Sequence, residues 1–245
     1  MKNAVFTVLS NEPIADSVMK MTLRGDVSDI TAPGQFVNIQ MNGFYLRRPI
    51  SVCDVEGSDL TLIYKIVGAG TRKLAEAATG DTFDLLTGLG NGYNLSESGP
   101  APLLIGGGVG VPPLYYLAKK LLSEGKSVSA ILGFNKKTDV FFKDEFESLG
   151  VKTFIATADG SLGTKGFVTD LLDCVPYSYF YTCGPEPMLK AVYKKTLTSG
   201  QFSFEERMGC GFGACMGCTC KTVTGYKRIC KDGPVLKKEE ILWED

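Results

Sequence analysis

Over its first hundred residues the chain alternates apolar and polar positions in short runs separated by turn residues. Val18-Met19-Lys20-Met21-Thr22-Leu23 is one run, Gln35-Phe36-Val37-Asn38-Ile39-Gln40-Met41 a second, and Leu60-Thr61-Leu62-Ile63-Tyr64-Lys65-Ile66-Val67 a third. A period of two over such lengths marks strands with one buried face. Several of them at this spacing predict a small antiparallel barrel. One helix is predicted inside it, from Arg72 to Ala78, directly after Gly70-Thr71.

The pattern changes after Gly99-Pro100-Ala101-Pro102. Apolar strands are predicted at Leu103–Ile105, Val128–Leu132, Thr153–Ala156 and Tyr177–Thr182. Between and after them lie helical stretches at Pro112–Ser123, Phe141–Leu149, Phe167–Leu172 and Glu186–Leu197. Strands alternating with helices indicate a parallel sheet covered on both faces. From Gly200 onward the periodicity is lost, and glycine and cysteine dominate as far as Cys230. The pattern therefore divides the chain into a β-barrel domain (1–98), an α/β domain (99–200) and a small C-terminal domain (201–245). The last has little core of its own, so a bound metal centre is the natural way to hold it.

Composition narrows the chemistry. A chain of 245 residues buries about 70–75% of its unfolded surface and needs no crosslinks. Its net charge of −1 gives no electrostatic reason for nucleic acid or an anionic membrane as partner. No run approaches the roughly 18 apolar residues of a membrane span. The N-terminus enters a strand pattern without a secretory signal, so a cytoplasmic protein is expected. Histidine is absent. That excludes Ser–His and Cys–His catalysis, His-ligated zinc or haem, and a Rieske centre. Eight cysteines are present, five of them between Cys210 and Cys230. In a cytoplasmic setting such a cluster reads as metal ligands.

The spacing is Cys210-x4-Cys215-x2-Cys218-x11-Cys230, the plant-type pattern of a 2Fe–2S cluster. Two irons need two thiolates each, and one loop must wrap one side of the cluster. Glycines at 209, 211, 213 and 217 let the backbone turn tightly near the sulfurs. Cys220 is the spare thiol, and by spacing alone it could replace Cys218. The competing reading is a structural zinc, but zinc sites usually use two C-x2–4-C pairs, and Cys230 has no paired partner. Cys53, Cys174 and Cys183 are isolated and read as inert thiols.

Two further constellations suit phosphates, although each piece taken alone also fits an ordinary edge strand or tight turn. In Tyr45-Leu46-Arg47-Arg48-Pro49-Ile50-Ser51-Val52, an arginine precedes a strand-edge proline and a serine. A guanidinium pairs with pyrophosphate oxygens two at a time. Arg47 and Arg48 face opposite sides of a strand, so one of them suffices. Ile63-Tyr64-Lys65 leads through Gly68-Ala69-Gly70-Thr71 into the predicted helix, which offers backbone amides to phosphate. The second constellation, Ile105-Gly106-Gly107-Gly108-Val109-Gly110-Val111-Pro112-Pro113, is a strand, a glycine loop and a helix opening on proline. Gly107, Gly108 and Gly110 would set amides against a dinucleotide. Cys183 and Gly184, at the end of the last apolar strand, would line the nicotinamide. Near Gly133-Phe134-Asn135 no arginine is available for a 2′-phosphate, although Lys136 and Lys137 follow. NADH is favoured over NADPH.

Taken in order, Leu46-Arg47-Arg48-Pro49-Ile50-Ser51, Gly68-Ala69-Gly70-Thr71, Gly106 to Pro113, Cys183-Gly184-Pro185, Met208 to Cys218 and Arg228 to Val235 make the chain resemble the electron-transfer subunits of type B dihydroorotate dehydrogenase, within the ferredoxin–NADP reductase superfamily. The resemblance runs nearly end to end. It implies FAD held by Arg48, Pro49, Ile50 and Ser51, by Ile63, Tyr64 and Lys65, and by Gly70 and Thr71. Ile50 stands where the wider superfamily often has an aromatic residue. The resemblance further implies a relay from NADH through FAD and the 2Fe–2S cluster to an FMN-containing catalytic subunit that interconverts dihydroorotate and orotate, the step of pyrimidine biosynthesis that takes dihydroorotate to orotate with NAD as acceptor, in a heterotetramer with two of each subunit. The docking face would be the apolar, glycine-rich surface around the cluster. Related subunits of a ferredoxin–NADP transhydrogenase, a sulfide dehydrogenase or a hydrogenase would keep all three constellations and change the partner. A zinc-binding redox regulator is the rival from another class.

Overall fold

The structure is a computed structural model and describes residues 1–243. Six strands close the N-terminal barrel: β1 (Lys2–Ala15), β2 (Val18–Arg24), β3 (Phe36–Ile39), β4 (Arg48–Glu56), β5 (Asp59–Lys65) and β6 (Thr82–Leu89), in the order β1-β2-β5-β4-β3-β6. All pairings are antiparallel. Alternate positions send Phe6, Val8, Met21, Leu23, Val37, Ile39, Leu60, Leu62 and Leu85 into one interior. That alternation made the barrel legible, since a period of two commits a whole face to burial.

The single barrel helix, α1, runs Ala69–Ala75 and so starts and stops three residues before the predicted Arg72–Ala78. Two side chains set these ends. Thr71 Oγ1 accepts from the Gly68 amide at 3.2 Å and starts the turn. Asn11, far away on β1, donates its amide to the carbonyls of Leu74, Ala75 and Ala77 at 3.1, 3.3 and 3.2 Å and stops the helix. Free C-terminal carbonyls need such donors.

Strands β7 (Pro102–Gly107), β8 (Ser129–Phe134), β9 (Lys152–Thr157), β10 (Thr164–Lys165), β11 (Tyr179–Cys183), β12 (Gly200–Ser203) and, later in the chain, β15 (Val235–Lys237) form a second sheet, ordered β10-β9-β8-β7-β11-β12-β15. It is parallel except for β15. Helices α2 (Pro112–Ser123), α3 (Lys143–Ser148) and α4 (Glu186–Lys195) belong to this half. The stretch predicted as a helix at Phe167–Leu172 is instead a 3-10 turn over Val168–Cys174, with Asp170 accepting from the Phe167 amide at 2.8 Å. Strand order reverses direction between β7 and β11, the switch point where open α/β sheets bind ligands.

The C-terminal segment carries a small hairpin, β13 (Thr219–Thr222) and β14 (Gly225–Arg228). It also supplies β15, which pairs antiparallel with β12. The segment beyond Gly200, where periodicity fails, is thus stitched into the second sheet at both ends. Strands of three and four residues are too short to show a period. Two devices bolt the barrel to the second half. Tyr116 of α2 packs into the barrel core, and Lys119 of the same helix pairs with Asp54 and Glu56 at 2.7 and 2.9 Å.

Candidate functional site

The two adjacent arginines have different duties. Arg47 forms an ion pair with Asp84 at 2.6 Å and donates to the carbonyls of Asn38 and Asp84 at 3.2 and 3.1 Å. It is committed to the barrel. Arg48 pairs with no carboxylate among the described residues; it donates to the carbonyls of Leu46 and Arg47 at 2.6 and 3.3 Å and lies 4.8 Å over the Phe44 ring. Its guanidinium rests against Gly70, where a Cβ would stand 2.1 Å from Arg48 Nε. Glycine there is what allows the arginine and the Gly68–Thr71 turn to meet. An unpaired, half-buried guanidinium beside that turn fits an anionic pyrophosphate.

Pro49 and Ser51 pair in register with Asn38 and Phe36, while Ile50 packs against the barrel interior. Ile63 is buried beneath α2, and Lys65 is exposed. Tyr64 differs from its neighbours: its side chain belongs to the barrel core, and its hydroxyl donates to Asn11 Oδ1 at 2.9 Å. Burial pushes the phenol up to about 12. Only its main chain is left to face a ligand. Thr71 spends its hydroxyl on the amides of Val67 and Gly68, at 3.0 and 3.2 Å.

A cavity of about 550 Å³ opens at the switch point. Gly107, Gly108, Gly110 and Gly184 line it, with Gly133, Phe134 and Asn135 at the end of β8. Gly110 is pressed onto the neighbouring loop, since a Cβ there would stand 2.3 Å from the Cys183 carbonyl. The Cys183 side chain itself is buried behind that wall, and burial pushes its thiol up to about 12. Of the predicted pair, Gly184 lines the cavity and Cys183 backs it. Asp16, Val18 and Lys65 close the cavity from the barrel side. Sequence reasoning missed Asp16, because nothing local links the β1–β2 turn to the end of β8. In space Lys136 reaches Asp16 at 3.2 Å and Asp139 at 4.0 Å. The lining carries the carboxylates of Asp16, Asp139 and Glu205 against one cation, Lys65. That balance disfavours an added 2′-phosphate.

The four cysteines of the ferredoxin pattern meet as two pairs. The amides of Ala214 and Cys215 donate to Cys210 Sγ at 3.2 and 3.4 Å, and the Gly217 amide donates to Cys215 Sγ at 3.5 Å. The Cys230 amide donates to Cys218 Sγ at 3.4 Å. Burial alone would push the Cys210 thiol up; backbone amides, with Cys215 the largest of them, outweigh it and hold it at about 6. Burial pushes Cys230 the other way, to about 12. Gly211 and Gly213 take φ of +80° and +92°, the left-handed region that lets the loop curl round its sulfurs. Among the described residues no three acidic or thiol side chains converge on one ion.

The pairs differ in setting. Cys218 and Cys230 are buried in the core that includes Phe36 and Leu89 of the barrel. Cys215 is exposed and Cys210 half-exposed, beside the exposed Phe212 and Met216. Cys220 lies on β13 opposite Lys227 and lines a groove with Phe204 and Trp243. It takes part in none of the amide–thiol contacts of the loop.

Comparison with known proteins matches this layout. The family described as the iron–sulfur cluster binding domain of dihydroorotate dehydrogenase B matches residues 205–242, and the oxidoreductase NAD-binding domain matches residues 104–194. A curated protein from Geobacillus sp. (strain WCH70), named dihydroorotate dehydrogenase B (NAD(+)), electron transfer subunit, is 45% identical over 99% of both chains. The chain belongs to the family of dihydroorotate dehydrogenase B electron transfer subunits. A relative of the same name from Fusobacterium nucleatum subsp. nucleatum is 42% identical over 96% of both chains. Among solved structures, one described as an NADH-dependent reduced ferredoxin–NADP oxidoreductase is 30% identical, covers 97% of this chain and 90% of its own, and superimposes with a TM-score of 0.88. The expected architecture, a barrel followed by a parallel-sheet domain and an iron–sulfur region, is borne out.

Proposed function

We propose that the chain takes a hydride from NADH at the switch-point cavity and passes the electrons out through the cysteine loop to an FMN-containing dihydroorotate dehydrogenase catalytic subunit. When bound, FAD supplies the conversion of a two-electron hydride into single electrons, and the 2Fe–2S cluster carries them one at a time. The chain's own residues do the rest. Arg48, with the Gly70–Thr71 turn, would hold the pyrophosphate of FAD. Pro49, Ile50 and Ser51 and the main chain of Ile63, Tyr64 and Lys65 would hold the ring. Gly107, Gly108, Gly110 and Gly184 would seat NADH, with Cys183 packed behind them. Cys210, Cys215, Cys218 and Cys230 would ligate the irons.

One observation carries the reading: the unlike settings of the two thiol pairs. Cys218 and Cys230 are buried in the core shared with Phe36 and Leu89 of the barrel, while Cys210 is half-exposed and Cys215 exposed beside Phe212 and Met216. A relay needs an inner and an outer end, and the outer end becomes the docking face. The assembly is a heterotetramer of two such subunits and two catalytic ones, in the cytoplasm. No described helix is long and apolar enough to cross a membrane.

A ferredoxin–NADP type of partnership is the second reading, favoured by the superposition on the oxidoreductase structure. Identity of 45% against 30% places the chain nearer the dihydroorotate dehydrogenase relatives. Purification of the native complex separates the two. A second subunit carrying FMN and reducing orotate is expected. A partner without FMN overturns the assignment, and a colourless zinc protein overturns the relay.

A further inference from the structure

The outer thiol pair needs more surface than its own loop provides. Phe212 and Met216 are 41% and 54% exposed, on the order of 200 Å² of side chain between them. A stable subunit contact covers about 800 Å² on each partner. The docking face therefore runs on into flanking elements. Among the described residues, two of these carry exposed apolar side chains: the turn joining β3 to β4, with Tyr45 and Leu46, and the β13–β14 hairpin, with Val223 and Tyr226.

The hydrogen bonds of the cysteine loop choose between them. Cys210, of the outer pair, is held on the barrel side. Its carbonyl accepts from Asn38 Nδ2 at 3.2 Å, and a Cβ on Gly211 would lie 2.4 Å from the same nitrogen. Asn38 pairs with Pro49 across β3 and β4. Tyr45 precedes Pro49 by four residues, about 13 Å of extended chain. The β13–β14 hairpin grows instead from the inner pair. It starts directly after Cys218, ends shortly before Cys230, and the Ile229 amide donates to the Cys218 carbonyl at 3.1 Å. Its far end is tied away from the thiols, where the Val223 amide donates to the Glu240 carbonyl at 2.9 Å.

The β3–β4 turn is fixed from within. Met41 and Phe44 pack into the barrel core, the Phe44 amide donates to the Met41 carbonyl at 3.1 Å, and the Arg48 guanidinium lies over the Phe44 ring. Gly43 takes a φ of +84°, which lets the turn close. Tyr45 is left fully exposed and Leu46 43% exposed. A ring held out on a fixed turn loses little freedom when it is buried. Tyrosine suits such an anchor, because its face is apolar and its hydroxyl can hydrogen-bond. We infer that the β3–β4 turn is an anchoring arm of the docking face, with Tyr45 entering an apolar pocket of the catalytic subunit while Phe212 and Met216 seal the surface around the exposed thiols. This rests on the relay reading above. Electrons leave through the cysteine loop, and the arm sets how long the two subunits stay together.

The test uses the complex of the full chain with the FMN-containing catalytic subunit. Amide hydrogen exchange on the original protein needs no variant. Residues 42–46 are expected to exchange markedly more slowly in the complex than in the separate chain, and no slowing there overturns the inference, whatever happens at residues 223–226. Tyr45→Ser is expected to weaken association of the two subunits by about 10-fold or more, the range of an interface anchor, and a smaller loss overturns the inference. Tyr226→Ser is expected to leave association nearly unchanged, and a loss there as large as that in Tyr45→Ser overturns the choice of arm. FAD content, the cluster's electron paramagnetic resonance signal and NADH-driven ferricyanide reduction are measured on the separate Tyr45→Ser chain and are expected to match the original, since Tyr45 belongs to neither cofactor site. Loss of FAD in that variant would mean that the ring covers the flavin's adenosine, and overturns the inference. A native second subunit without FMN overturns the functional reading and this occupant with it. Failure of the inference alone shows as an FMN-containing subunit that binds without covering residues 42–46.

Discussion

The barrel and the cysteine loop are both parts of one electron path, yet they are held by opposite means. The barrel interior is a closed apolar set, with Phe6, Val8, Met21, Leu23, Val37, Ile39, Leu60 and Leu62 each fully buried. It needs no ligand to exist, because such burial gives about 1.5–3 kcal/mol for each large side chain. Between Glu205 and Asp232 the buried apolar side chains are Cys218, Ile229 and Cys230. That loop is shaped by left-handed glycines, amide–thiol contacts and bonds to its neighbours. Arg228, for example, donates to the Gly213 carbonyl at 3.0 Å and pairs with Asp232 at 2.9 Å. A preformed scaffold therefore presents the flavin and nicotinamide sites, while the cluster site is completed by what it binds.

The sharpest way to break this contrast is to remove a thiol. Cys218→Ser is expected to abolish the cluster signal and to expose residues 205–234 to rapid amide exchange, while barrel amides stay protected. Cys220→Ser should keep the cluster, and equal loss in both variants would mean that the ligand set is wrong. Removing iron from the intact protein by chelation should reproduce the same exchange pattern.

Within the barrel, the two arginines sharpen the contrast between binding and building. Arg48→Ala is expected to weaken FAD binding by about 10- to 100-fold, the loss of roughly 1.5–3 kcal/mol for bonds to a charged group, with little change in melting temperature. Arg47→Ala, which breaks the Asp84 pair, should do the reverse. Titration of the apoprotein with FAD alongside calorimetry reads both effects.

A smaller effect is expected at the cavity rim. Asp16→Ser and Asp139→Ser free Lys136 from its carboxylates and remove negative charge from the lining. The preference for NADH over NADPH should fall about 5- to 10-fold in each, a coupling of about 1–1.4 kcal/mol. Direct binding of NADP+ to the oxidised protein checks it, and an unchanged ratio would show that the rim does not select. The smallest change concerns the bolt between the halves. Lys119→Met removes a partly buried pair worth about 1 kcal/mol, so the melting temperature should fall by about 2–4 °C for a chain of this size, with the cluster signal intact.

Legibility tracked the same contrast. Strand β5 could be read because Leu60, Leu62 and Tyr64 alternate with residues of the other face. The ferredoxin spacing could be read because its four cysteines lie within 21 positions of one another. Strand β15 could not, since three residues have no period and its partner β12 lies more than thirty positions earlier. The end of α1 could not, since Asn11 supplies the stop from another strand.

By itself, then, the amino-acid sequence determined the barrel, the alternating sheet and helix order, the two glycine loops and the cysteine spacing. Each is written in local spacing, which backbone geometry converts directly into shape. Tertiary structure alone decided which arginine is free, that Cys183 backs the cavity, that Asp16 reaches it from the barrel, and that Asn38 touches the cluster loop. These depend on side chains far apart in the chain meeting at close range, and only the packed fold brings them together.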